Sequence, residues 1–248
     1  MCVVCVVLLA RRMTRRVFVR RLATFYDSQS GTFMAKPGSA GLRFHVHGCG
    51  QAPAFPLKGC TYVLPLPAGA CGAPTRPHAT LFFSASQPAD LEILAAPRLG
   101  VALSLPPEGV AAVLPLLARA RALFLPTHVT LRRCWRAAPG AHPDANAAAR
   151  MVEDAVGALC DAGAGVVALR DCGGAATEES LRELVEGAFN LDVAGDAVME
   201  RLSVGVGVPG LLEAALSMGV TRFECGGEGL LSLDAAAAAA KAELTAQP

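Results

Sequence analysis

Three stretches carry side chains whose types and spacing could do chemistry. In His45-Val46-His47 the two imidazoles lie two residues apart, so on a strand they share one face, and Cys49 follows them. That is a candidate metal pair, but metal sites take three or four protein ligands and one short stretch offers too few. The pair is therefore read as structural or solvent-facing. "LRDCGG" (169–174) ends an apolar run with Asp171 and two glycines. A carboxylate at the C-terminal end of a parallel strand stands where ligands and acid/base groups sit. The same residue is equally well read as a turn aspartate bonding nearby backbone amides. "CGGEG" (225–229) lacks the GxGxxG order of a nucleotide loop. Cys225 has no basic neighbour in sequence and reads as a buried, inert thiol.

The elements that must position these groups alternate regularly from residue 99 onward. "LGVALSL" (99–105) is a β-rich run, and "PPEGVAAVLPLLARAR" (106–121) is helical in composition, with Pro115 a candidate kink. "ALFLP" (122–126) and "HVTLRRC" (128–134) read as strands. Residues 144–163 carry a helical stripe of Met151, Val152, Ala155, Val156 and Leu159. A strand at 165–171 follows, then a helix capped by Thr177, with Glu178 and Glu179 in the turn where the helix dipole favours acids. Strands at 202–208 and 221–227 alternate with helices at 210–219 and 232–244. Repeated strand-then-helix units predict a parallel sheet, open or closed into a barrel. Ahead of residue 99, the runs 42–48, 60–66, 79–85 and 90–96 read as strands joined by Pro- and Gly-rich linkers instead of helices. Two glycines, Gly205 and Gly207, fall on one face at the end of a strand, leaving it without side chains where chemistry is expected.

The chain has 248 residues, 53% hydrophobic and 17% charged, which excludes a disordered or acidic-tail protein. Its nine cysteines form one CxxC, Cys2 to Cys5, with no second pair to complete a zinc site, and suggest a reducing compartment. Residues 11–21 hold six arginines, and no acid precedes Asp27, the composition of a mitochondrial transit peptide. The apolar run from Cys2 to Ala10 is too short to span a membrane. Translation starting at Met13 would give a more ordinary presequence. Without residues 1–21 the chain carries 16 basic against 21 acidic residues, so no nucleic-acid partner is expected despite Arg132, Arg133 and Arg136. The organisation read from sequence is a mitochondrial (matrix) targeting segment at 1–23, a linker at 24–41, and an α/β domain at 42–248.

"ALCDAGAGVVALRDCGGAATEESLRELVEGAF" and "LSVGVGVPGLLEAALSMGVTRFECGGEGL" resemble the second half of 3-hydroxy-3-methylglutaryl-CoA lyase (HMG-CoA lyase). That family belongs to the aldolase-type metal-dependent TIM barrels, with isopropylmalate synthase and the transferase domain of pyruvate carboxylase. The resemblance spans about residues 99 to 232. "GVALSLPPEGVAAVLPLLARARALFLP" is similar to the family's strand, P-N-x-x-G, helix and next strand, and "HVTLRRCW" to the strand after that.

The departures bear on function. The family's two metal-binding histidines fall at Gly205 and Gly207, and the Asp after them at Val208. "HVHGCGQ" (45–51) stands where the family has R-D-G. Between Pro126 and Thr127 the family's long loop and helix have no counterpart. The family's loop cysteine and final Asn have no match, and Asp171 alone corresponds to an active-site (catalytic) residue. The resemblance thus implies an α/β TIM-type barrel, incomplete or missing some helices, that has lost its lyase chemistry. No cofactor and no metal ligand is expected. Missing helices would expose sheet edges for a partner to bury, so the expected role is a structural or assembly subunit of a mitochondrial multiprotein complex, with room for a vestigial acyl-CoA ligand. The alternative is an active acyl-CoA lyase with relocated ligands at His45, His47 and Asp171.

Overall fold

The computed structural model describes residues 26–27, 32–33, 42–47, 60–64, 81–95, 99–135, 145–191 and 198–246. The expected targeting segment, the CxxC, Cys49 and most of the linker lie outside these residues. Within the linker, β1 (Tyr26–Asp27) and β2 (Thr32–Phe33) pair as an antiparallel ladder. The domain that follows closes eight parallel strands into a barrel. They are β3 (Arg43–Val46), β4 (Cys60–Leu64), β5 (Leu81–Ser84), β6 (Gly100–Leu105), β7 (Thr127–Arg132), β8 (Val166–Arg170), β9 (Leu202–Gly205) and β10 (Arg222–Cys225). β10 pairs with β3 through Phe223–Phe44 and Glu224–His45, which completes the ring. The fold is a TIM-type α/β barrel.

Each barrel strand alternates between two environments, as a pleated strand with two buried faces must. Phe44, Val46, Tyr62, Val101, Leu103, Val129, Leu131, Val167, Leu169 and Phe223 belong to one large outer core between sheet and helices. The residues between them point inward, where the apolar filling is small: Val63, Phe82 and Ala102. The rest of that inner face is polar or bare, and the candidate site lies there.

Helices follow the last six strands among the described residues: α1 (Pro88–Ala95), α2 (Val110–Ala122), α3 (Ala145–Asp161), α4 (Glu178–Asn190), α5 (Pro209–Ser217) and α6 (Leu233–Ala246). In α3 the buried stripe is Val152, Ala155, Val156 and Leu159, while Met151 at its margin is 40% exposed. The cap of α4 forms as expected. Thr177 Oγ1 accepts from the Ser180 amide at 3.2 Å, and the Thr177 amide donates to Ser180 Oγ at 2.9 Å. Thr177→Ala should therefore cost about 1 kcal/mol in urea unfolding. Pro209 opens α5 at its first turn, where a missing N–H is harmless, so β9 stops at Gly205 instead of running on to residue 208.

Two strand expectations fail. Residues 90–96 do not form a strand: Pro88–Ala95 is a helix that buries Leu91 and Leu94. The Asp90 carboxylate accepts the amides of Ser86 at 2.7 Å and Gln87 at 3.0 Å, tying down the first turn. "ALFLP" is not a strand either, but the end of α2. The Leu125 amide bonds Ala120 O at 2.9 Å and the Phe124 amide bonds Arg121 O at 3.0 Å, the Schellman pattern. Gly163 and Gly219 end α3 and α5 in the same way, at φ 89° and 95°. Phe124 takes that glycine position at φ 55°. With no strand there, β6, α2 and β7 form one ordinary unit, and no loop and helix are missing between Pro126 and Thr127. Phe124→Gly should raise stability by about 1 kcal/mol in the same assay, because the left-handed conformation strains a side chain but not glycine.

The expectation of uncovered sheet edges also fails. A closed barrel has no edge strand, and the outward Phe44, Tyr62 and Leu64 of β3 and β4 are buried.

Candidate functional site

The inner face brings together residues far apart in sequence. His45 comes from β3, His47 from the residue after it, His128 from β7, Ser203 from β9 and Glu224 from β10. All lie on inward positions of their strands. Glu224 pairs in register with His45 on one side and Gly205 on the other, so its side chain lies beside a position that offers none. His45, His128, Ser203 and Glu224 are at most 2% exposed.

Glu224 is the hub. Its Oε2 bonds His47 Nε2, and its Oε1 accepts from Ser203 Oγ at 2.5 Å. His128 Nε2 lies 3.3 Å from Oε2, near enough for charge attraction, while its Nδ1 has no hydrogen-bond partner. The His45 and His128 rings meet edge-on with centroids 4.6 Å apart, and both His45 nitrogens are also unpartnered. The Phe82 ring meets His128 edge-on, with centroids 5.7 Å apart.

Burial and charge pull this cluster in definite directions. Loss of water lowers the His45 pKa from 6.5 to about 3, outweighing the attraction of Glu224. Burial alone would raise the Glu224 carboxyl, but His128, His47 and His45 hold it well below the ordinary carboxylate range. The folded barrel thus keeps His45 neutral while the unfolded chain takes up a proton near pH 6.5. The His45 contribution is complete above that pH and is lost as pH falls toward 3. In chelator-treated protein, stability should fall with acid at up to about 1.4 kcal/mol per pH unit from this group. His45→Gln should flatten that limb in urea titrations across the range.

Asp171 lies elsewhere. It is buried just past the end of β8, and its carboxylate accepts the amides of Gly173 at 3.2 Å, Ala175 at 3.1 Å and Ala176 at 3.0 Å. Both oxygens are engaged by its own loop, and Asp171 is not among the clustered donors His45, His128 and Glu224. Burial raises the Cys134 thiol to about 12, and Sγ donates to Leu131 O at 3.1 Å, so that sulfur is a poor nucleophile.

The bare strand end is not empty space. A Cβ on Gly205 would lie 2.8 Å from Glu224 Cβ and 3.1 Å from Leu230 Cδ2. One on Gly207 would lie 2.7 Å from Gly229 O. Segment 226–231 forms a plug at the C-terminal ends of β3, β8, β9 and β10. Gly226 N bonds Leu231 O at 2.7 Å, Leu231 N bonds Val206 O at 3.1 Å, and Arg170 Nη2 holds Glu228 O at 2.8 Å. A Cβ on Gly226 would lie 2.5 Å from His47 O, and the residue also needs φ 71°. "CGGEG" is therefore packed against four of the eight strand ends. Sequence reading found His45 and His47 but missed Glu224 and His128. The available signal was period-two: Glu224 alternates with Phe223 and Cys225, and His128 with Val129.

Fold and site together define a TIM-type barrel with a buried histidine–glutamate cluster on its inner face. No protein-family model matches the chain, and no curated protein matches it. Among solved structures it is similar to the HMG-CoA lyase of Brucella melitensis, with a TM-score of 0.50 and 14% identity over 67% of this chain and 72% of that one. It is similar to hydroxymethylglutaryl-CoA lyase of Pseudomonas aeruginosa, with a TM-score of 0.50 and 16% identity over 73% of this chain and 61% of that one. At such identities the likeness shows the fold, and this chain spans less than three quarters of either protein.

The divalent metal implied by the resemblance does not fit at its expected place. Its two histidines would stand at 205 and 207, where even a Cβ collides with Glu224 and with the Gly229 carbonyl.

Proposed function

We propose that this protein is a catalytically inactive HMG-CoA lyase-like barrel serving as a structural or assembly subunit of a mitochondrial multiprotein complex. One observation carries the reading: the positions of the expected metal-binding histidines are glycines packed against Glu224 and Gly229. A lyase of this kind needs a metal to polarise a carbonyl and stabilise an enolate, worth several kcal/mol at the transition state. Segment 226–231 lies where the substrate would approach the strand ends. The arginine-rich, acid-free leader supports the mitochondrial assignment. Phe124 supports a partner, being an aromatic 92% exposed and held in a left-handed conformation that a glycine would occupy without strain.

The test expresses the tagged chain in mitochondria and follows its size by native electrophoresis. Migration within a large assembly is expected, and Phe124→Gly should release the chain while leaving it folded. A wild-type chain that migrates as a free monomer would overturn the assembly role.

The buried cluster favours a second reading, an active metal-dependent lyase with relocated ligands. Asp171 is engaged by its own loop and His47 by Glu224, so the inactive reading stands ahead of it.

A further inference from the structure

The inner face of the barrel holds a group of donors that no part of the proposed function uses. His45, His128 and Glu224 each present a ligand atom within 4.8 Å of the other two, and all three residues are buried. Both ring nitrogens of His45 and Nδ1 of His128 have no hydrogen-bond partner, and His128 Nε2 has only Glu224 Oε2, 3.3 Å away. Leaving a buried polar group unsatisfied costs about 1–3 kcal/mol, so native interiors rarely keep several together. These two rings face each other and a carboxylate across the barrel, with strands β3, β7 and β10 fixing them.

We infer that His45, His128 and Glu224 bind a transition-metal ion of the zinc class inside the barrel, beneath the plug. Imidazole nitrogen with one carboxylate oxygen is a zinc-type donor set, whereas magnesium takes oxygen and water. Ligand bonds of about 2.0–2.1 Å place tetrahedral donors roughly 3.3 Å apart, so side-chain adjustments of about an ångström suffice. His47 Nε2, which touches Glu224 Oε2, lies beside this group without belonging to it. Ser203 Oγ on Glu224 Oε1 orients the carboxylate from behind, as outer-shell partners of metal ligands do. The ion lies at the level of Gly205, which pairs in register with Glu224, and uses residues other than Gly205 and Gly207. It ties the first barrel strand to the last and to the fifth, stabilising the closure between β3 and β10.

The test reads metal occupancy and does not depend on whether the barrel turns over a substrate. The purified full chain is stripped with chelator, and Zn²⁺ or Co²⁺ is returned under reducing conditions. One ion per chain is expected, with a rise in melting temperature. The Co²⁺ form should show the visible bands of a tetrahedral site without a thiolate charge-transfer band. His45→Gln and Glu224→Gln should each lose those bands, with folding checked by circular dichroism. Ser203→Ala, which removes no ligand, should keep them. A wild-type chain that takes up neither ion would overturn the inference. So would a thiolate band, which places the metal on cysteines, or uptake undiminished in both ligand variants. Metal uptake alongside acyl-CoA cleavage would uphold this site and sink the inactive reading instead.

Discussion

Gly205→His should destabilise the barrel by about 1–3 kcal/mol and should not create a lyase. The reason is the position of Glu224. Its Cβ stands 2.8 Å from where the new Cβ must go, and that atom is fixed to the backbone of β10, which pairs with β9 in register at this residue. Overpacking at a strand-to-strand contact forces backbone shifts, unlike a clash with the far end of a flexible chain. Gly205→Ala should show most of the same loss, since the first carbon already collides. Gly207→Ala meets a different obstacle, the Gly229 carbonyl at 2.7 Å. It should lift the plug, so segment 226–231 becomes readily cleaved by protease while the barrel stays folded. Urea midpoints for the first pair and limited proteolysis for the second provide the measurements. A Gly205→His variant as stable as wild type would contradict the packing described for this strand end.

Glu224→Ala should be the most damaging single change inside the barrel, at about 3–5 kcal/mol. It removes the acceptor of Ser203 and the partner of His47, and takes away the negative charge facing His128. The imidazoles then keep their burial without compensation. Glu224→Gln preserves the volume and should cost less, which separates loss of charge from loss of packing. The pH dependence follows from the depressed carboxyl. The Glu224 contribution is complete above its unfolded value near 4.5 and is lost as pH falls through its much lower folded value. Wild-type stability should therefore drop with acid below about pH 4.5 more steeply than that of Glu224→Gln. Equal slopes in urea titrations across this range would show that the charge is not what the histidines hold.

Much of the barrel is visible in local pattern. β6 to β10 show as short apolar runs, and the stripe Val152–Ala155–Val156–Leu159 and the Thr177 cap mark helices that form where expected. The errors came from places where a longer-range or subtler signal decides. "DLEILAA" lacks helical periodicity of its own, and its first turn depends on Asp90 reaching back to two amides. "ALFLP" looks like a strand because its cap position holds phenylalanine where the other two ends have glycine. The site was half legible. His45 and His47 stand out as a pair, but Glu224 is one acid on a short strand, 177 residues from the histidine it bonds. Only closure of β10 onto β3 brings them together. Gly205 and Gly207 were conspicuous as blanks. Their cause, a glutamate and a carbonyl filling the space, appears only when neighbouring strands and the plug are in place.

The proposed absence of lyase chemistry is tested most directly by incubating the purified chain with 3-hydroxy-3-methylglutaryl-CoA and Mg²⁺ or Mn²⁺, and following release of the cleaved acyl-CoA. A barrel with packed glycines at 205 and 207, where the resemblance sets the metal-binding histidines, should give no cleavage above the metal-only blank. Metal-dependent turnover in the ordinary enzymatic range of about 1–10³ s⁻¹, abolished by His47→Ala, would contradict it.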